Sequence, residues 1–300
     1  MKFWCASTWM DPVAMIGISS VLDEAGYHGL MASDHLVYPR DLRSRYPYSP
    51  HPDGRPVWEA DAIWPDPWVF LGAVAAVTRR LQLSTNVYVA PLRTIVDVAK
   101  IVGTASVISG GRVALGAGAG WMREEFELEG QDYDSRGRRL AEMIVGLREL
   151  WSGGWVEFHG EYYEVPPSTI EPHPAAPVPI YVGGHSDAAL RRAARLGDGW
   201  IGGAYGWDEL ARLTARLRTL LAEAGRSDEP FEVIAAIVEY PSADLYRRAA
   251  DELGLTATLC LPWFAESEIG AQRAAGVEPP VEAYRPSIER FAEDVVERCR

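Results

Sequence analysis

The strongest constraint in this sequence is an alternation that runs from one end of the chain to the other. Short apolar segments of strand length occur at 3–6, 29–32, 81–89, 113–117, 179–182, 199–201, 233–238 and 256–261. Between and after them, apolar residues recur with the helical period at 13–25, 67–78, 95–108, 138–150, 187–196, 208–224, 243–253 and 287–298. About eight repeats of strand then helix predict a (β/α)8 TIM barrel, with an open doubly wound sheet as the alternative. At 300 residues and 48% hydrophobic, the chain can bury about three quarters of its unfolded surface in one core, so residues 1–300 are expected to form a single domain.

Barrel closure would set the first and last strands side by side, making Cys5 and Cys260 neighbours. With Cys299 they make an odd count without metal-ligand spacing, the pattern of free thiols in a reducing compartment, and the expected location is the cytoplasm. The formal net charge is −13, with 42 acidic against 29 basic residues and no Lys/Arg run, so neither nucleic acid nor an anionic membrane is an expected partner. The longest apolar run, around 69–77, is far short of the ~20 residues of a membrane helix. A small-molecule substrate is the partner this composition favours.

Four connections exceed the ~12 to 15 residues of ordinary loops: 38–64, 118–136, 153–177 and 261–285. In a barrel the first two and the last leave strand C-termini, the face on which sites assemble, whereas the third precedes a strand and belongs at the other end or along the side. Asp34-His35 opens the first of these loops, directly after the buried strand GLMA. On turn chemistry alone the pair is an ordinary strand exit; on the active face it is also a candidate acid and imidazole. In VALGAGAGW, Gly116, Gly118 and Gly120 leave bare backbone that a ligand could approach. Trp121 and the missing ribose-binding acid exclude a dinucleotide fingerprint. In PIYVGGHSD a strand, two glycines, a cap at Ser186 or Asp187 and a helix form the arrangement that binds phosphate.

Taken together, GYHGLMASDHLVYP, LQLSTNVYVAPLRTIVDVAK, SGGRVALGAGAGWMREEFELEG, RGRRLAEMIVGLRELW and PVPIYVGGHSDAALRRAARLGDGW resemble, in order, the blocks of the bacterial luciferase-like flavin and deazaflavin oxidoreductases. Within that family the chain looks most similar to the branch using coenzyme F420, in which the equivalents of Asp34 and His35 line the pocket beside the reactive ring. The resemblance implies a non-prolyl cis peptide at Asn86-Val87 that supports the ring. It also implies cofactor contacts from Asp34, Thr85, Asn86, Val87, Gly118, Ala119, Gly120 and Trp121, with the phosphate at Gly183, Gly184, His185 and Ser186. A homodimer is implied as well. FMN serving a two-component monooxygenase is the alternative cofactor, and a non-catalytic flavin-binding protein is a further reading.

The expected activity is hydride transfer between F420 and a small organic substrate. His35 is the side chain best suited to handle the accompanying proton, and Asp34 would orient it or hold the cofactor. Glu124 and Glu125 rank lower, as solvated charges at a helix start. His51, His159 and His173 offer no zinc spacing, so no metal is expected. Trp9, Trp58, Trp64, Trp121 and Trp263 fall in active-face loops and are candidates for an aromatic substrate wall.

Overall fold

The computed structural model describes residues 1–264 and 266–300; position 265, inside the expected 261–285 loop, lies outside the described residues. Its elements are β1 (Lys2–Ala6), α1 (Pro12–Glu24), β2 (Gly29–Ala32), α2 (Pro67–Val77), β3 (Gln82–Thr85), α3 (Ile95–Ser109), β4 (Val113–Ala117), α4 (Arg123–Leu128), α5 (Arg136–Leu150), β5 (Val156–His159) and β6 (Glu164–Ser168). They continue with β7 (Ile180–Gly183), α6 (Asp187–Leu196), β8 (Gly199–Tyr205), α7 (Trp207–Glu223), β9 (Glu232–Ile237), α8 (Ala243–Arg248), β10 (Ala257–Cys260), α9 (Ser267–Ala274) and α10 (Val281–Phe291). Eight parallel strands close in the order β1-β10-β9-β8-β7-β4-β3-β2, and β5-β6 stands apart as an antiparallel hairpin. This is the expected (β/α)8 barrel, with Cys5 directly opposite Cys260 where it closes; both are free and buried.

The strands read as continuous apolar runs because both faces are covered, and residue parity assigns each side chain to a layer. Trp4, Met31, Ala114, Tyr181, Ile201, Ile234 and Ala257 pack together inside the barrel. Their neighbours Phe3, Cys5, Leu30, Leu83, Leu115, Val182 and Ala235 join the larger core that seats the helices. Asp11, Asp66, Thr94, Ser186 and Ser242 cap their helices by accepting from first-turn amides, which fixes where each helix starts.

Several elements depart from expectation: β8 runs on to Tyr205, past the expected end at 201, and the expected loops 118–136 and 261–285 carry the short helices α4 and α9. The third strand ends at Thr85 rather than Val89: the Asn86-Val87 peptide is cis, and pairing resumes only as a single Tyr88–Ala117 bridge. The last helix starts at Val281 rather than Ser287, running through Pro286. Pro286 is exposed, and so is Glu282, whose carbonyl the ring leaves without its helical partner and free to meet water. The hairpin packs along the barrel side: the amides of Glu161, Tyr162 and Tyr163 donate to the Glu142 carboxylate of α5, each at 2.8 Å. Among the described residues no helix is long and apolar enough to cross a membrane.

Candidate active site

Asp34 and His35 leave the C-terminal end of β2, and their side chains diverge, as successive side chains on an extended segment must. Asp34 is 4% exposed. Its Oδ2 accepts from the Val89 amide at 2.9 Å, its Oδ1 accepts from Arg93 Nη2 at 3.0 Å, and Arg93 Nη1 also donates to Oδ2. Burial pushes the Asp34 carboxyl up, against the opposing pull of Arg93 and the Val89 amide. Burial also opposes the Arg93 charge, but the Asp34 carboxylate holds that guanidinium above its ordinary range. With both oxygens engaged inside the protein, Asp34 anchors the segment after β3 to the rim of β2; its bonds do not orient His35.

His35 is oriented by a residue ranked low from the sequence. Glu125 Oε1 accepts from His35 Nδ1 at 3.0 Å and from the Leu36 amide at 2.7 Å, while Trp121 Nε1 donates to His35 Nε2 at 3.3 Å. These partners assign the Nδ1–H tautomer and leave the Nε2 lone pair facing the indole. Glu124 and Glu125 are only 6% and 1% exposed, so the expectation of solvated charges is overturned. Glu124 accepts from the Arg43 and Ser44 amides and from Ser44 Oγ, at 2.6, 3.1 and 2.7 Å. Burial resists its charge, but the Ser44 hydroxyl and these amides hold its carboxyl below the usual range. The pair at the start of α4 thus ties down the loop after β2. Its amides lack a strand partner and need acceptors; that need was readable in the sequence, but which acid meets it was not.

One cavity of about 1760 Å³ opens at this end of the barrel. Asp34, His35, Asn86, Val87, Gly118, Ala119, Gly120, Trp121, Gly183, Gly184, His185 and Ser186 all line it, so the expected site residues from β2, β3, β4 and β7 converge. Thr85 does not line it: fully buried, it donates from Oγ1 to the Gly116 carbonyl at 2.8 Å and accepts from the Gly116 amide at 3.1 Å. Trp263 is also absent from the wall, buried against Tyr284 at a centroid distance of 5.1 Å. Two glycines have a different use from the one expected. A Cβ at Gly118 or Gly183 would meet the Val87 side chain at 2.2 or 2.4 Å, so both make room for Val87, which sits between them as a convex apolar floor.

The glycine turn ends the cavity on the other side. Gly184 has φ +116°, and Ser186 Oγ, not Asp187, caps α6 by accepting from the Ala189 amide at 3.2 Å. Asp187 turns outward to Arg191 and Arg216, leaving the first amides of α6 free of its carboxylate. His185 stands edge-on to Tyr48 at 4.6 Å, and burial lowers its pKa. Sequence reading missed two arginines here. Arg136 donates to the Gly120 and Tyr133 carbonyls and Arg192 to the Gly137 carbonyl. Neither has an ion-pair partner among the described residues, and Arg192 is held below its ordinary pKa by burial and by Arg136. Two adjacent cations beside a helix start make this end of the cavity electrostatically favourable to negative charge. Among the described residues no group of three His, Cys, Asp or Glu side chains could hold a metal.

One cavity at the mouth of a closed parallel barrel, lined by the apolar Val87, by His35 and by a cationic glycine turn, defines a (β/α)8 barrel protein with a site for a small molecule. The sequence profile of the luciferase-like monooxygenases matches residues 9–276, and the chain belongs to that family. An uncharacterized Mycobacterium tuberculosis protein is 36% identical over 299 residues, covering 99% of both chains. The F420-dependent glucose-6-phosphate dehydrogenase of Nakamurella multipartita is 30% identical, covering 96% of this chain and 78% of that one. Among solved structures, an F420-dependent secondary alcohol dehydrogenase superposes with a TM-score of 0.69 at 18% identity over the whole of both chains, a likeness of fold.

Proposed function

We propose that this protein is an F420-dependent oxidoreductase that moves a hydride between the deazaflavin and a small organic substrate. The observation that carries the reading is that a single cavity joins the Glu125–His35 pair to the Arg136–Arg192 turn across the Val87 floor. Relatives at about 30% identity that are named F420-dependent dehydrogenases support it.

The residues present fit the cofactor. Val87, between Gly118 and Gly183, would support a flat ring, and Gly184, Ser186, Arg136 and Arg192 would hold its anionic tail. When bound, the deazaflavin supplies the hydride chemistry at its C5. The protein then has three tasks. The floor and glycines orient the ring, the loop tied down by Glu124 and Glu125 excludes water, and His35 Nε2 takes or returns the proton once the Trp121 indole yields its contact. Glu125, on Nδ1, stabilises the imidazolium that results.

Titration of the purified protein with F420 and with FMN tests this reading. Saturable quenching of F420 fluorescence at micromolar concentration is expected; FMN binding without F420 binding overturns it. The expected homodimer remains part of the proposal, and we assign it to the outer face of α2. The sequence PWVFLGAVAAV is apolar on every side, leaving Val69 76% exposed, and such a helix is normally covered. Sedimentation of Val69→Asp checks it: a dimer converted to monomer supports the assignment, and an unchanged mass removes it.

A further inference from the structure

The walls of the cavity divide sharply in chemistry, and that division bears on the substrate. The His35 ring lies 5.3, 4.8 and 5.6 Å, centroid to centroid, from Trp58, Trp64 and Trp121. Trp9 extends this wall, 5.9 Å from Trp58 and 6.2 Å from Trp64, and Tyr46 closes it, 4.8 Å from Trp58 and 5.2 Å from Trp121. Trp9 holds its place at φ 58°, a left-handed backbone that a bulky residue rarely adopts and that persists only where its surroundings fix it. One such fixing contact is Arg273 Nη2, which donates to the Trp9 carbonyl at 2.7 Å.

Charge is distributed in the opposite sense. Among the described residues, four arginines on this cavity that have no carboxylate partner, Arg136 and Arg138 of α5 and Arg192 and Arg195 of α6, belong to the two helices beside the glycine turn. Near His35 the acidic side chains are Glu125, hydrogen-bonded to its ring, and Asp34, paired with Arg93. Of the other arginines lining the cavity, Arg191 is paired with Asp187 and Glu223 and Arg290 with Glu266, while Arg45 has no carboxylate partner among the described residues but packs its guanidinium against Gly54 and donates to the Pro52 carbonyl. A phosphorylated or carboxylated substrate placed against His35 would therefore bring its charge to an aromatic surface and an acidic side chain, where the one nearby arginine without a carboxylate, Arg45, is already engaged by the Pro52 carbonyl.

We infer that the compartment beside His35 takes an uncharged, largely apolar, ring-bearing substrate and rejects phosphorylated sugars, in contrast to the substrate in the name of the Nakamurella multipartita relative. The inference rests on the F420 reading for the location of the substrate and adds its chemical class. Flat apolar rings gain both area burial and edge-to-face contact from four indoles, and a single polar group on the ring is enough to meet His35 or the Trp121 N–H.

The test loads the protein with F420, verifies loading by F420 fluorescence, and then titrates 1-tetralone and glucose 6-phosphate by calorimetry. Binding of 1-tetralone with no heat from glucose 6-phosphate is expected. Trp58→Ala should weaken 1-tetralone by about tenfold with F420 affinity unchanged, and Trp58→Phe, which keeps a ring in the wall, should lose no more than about threefold. Tighter binding of glucose 6-phosphate than of 1-tetralone overturns the inference, as does 1-tetralone affinity indifferent to both substitutions. Failure of F420 to load while 1-tetralone still binds sinks the cofactor reading and leaves the substrate class standing. F420 loading without 1-tetralone binding does the reverse.

Discussion

At the N-terminal end of the barrel, Trp4 and Tyr181 fill the interior from opposite sides, while at the C-terminal end the same sheet leaves about 1760 Å³ open. Glycines occur at both ends for the same steric reason, with different results. A Cβ at Gly29 would strike the Trp4 ring at 2.3 Å, and one at Gly199 would meet Tyr181 at 2.9 Å, so the lower glycines admit large rings that plug the barrel. The upper glycines, Gly118 and Gly183, admit only the small Val87, and the space above it is left to a ligand. Polar groups follow suit. Below, Lys2 pairs with Glu232 and His28 lies edge-on to Trp4 at 4.8 Å; above, Glu124 and Glu125 hold a long loop and an imidazole in place. The lower end is thus packed for stability, and the upper end keeps open the space a ligand would need.

Substitutions at the two ends should therefore separate activity from stability. The largest expected effect is at the top: His35→Ala should lower turnover by roughly 10² to 10⁴-fold. F420 affinity should be kept and the denaturation midpoint should move little; equal loss of binding and turnover would make His35 structural. Trp4→Ala, at the bottom, should do the converse, costing about 3 to 5 kcal/mol in urea unfolding while F420 affinity of the folded protein is preserved.

A pH titration sharpens the contrast. Burial, reinforced by Lys2 and opposed by Glu232, lowers the His28 pKa from 6.5 to about 4. The unfolded chain then binds the extra proton first, so stability contributed by neutral His28 is complete above pH 6.5 and is lost as pH falls from there toward about 4. The loss should be on the order of 3 kcal/mol, and His28→Gln should flatten that part of the stability profile. The smallest effect is expected from Arg192→Ala: F420 affinity falls about tenfold, and the residual binding depends less on salt than that of the unaltered protein. Salt dependence identical to that of the unaltered protein would remove Arg192 from the anion site.

Much of this architecture was legible before the fold was known, because it depends on local period and local chemistry. The alternation of apolar strands and amphipathic helices implied a barrel, and GLMA ahead of Asp34-His35 placed that pair on its rim. The strand–GG–Ser186 order was legible as a glycine turn leading into a capped helix. The third strand and the start of the last helix were less accurately read: one is interrupted at Asn86-Val87, and the other tolerates an exposed Pro286.

Partner choice was not legible. Asp34 carries no local mark of its partner; only closure of β2 beside β3 brought Arg93 to it. Glu125 and His35 lie 90 positions apart and Arg136 and Gly120 lie 16 apart, and no period connects either pair. By itself the sequence determined the order of elements, the face each side chain takes and the residues delivered to the barrel mouth, since those follow from backbone geometry and solvent exclusion acting over a few residues. Only the tertiary structure decided which acid holds the histidine, which glycines make way for Val87 and which arginines stay unpaired. Those contacts depend on distances between remote segments, which chain connectivity leaves free until the barrel closes.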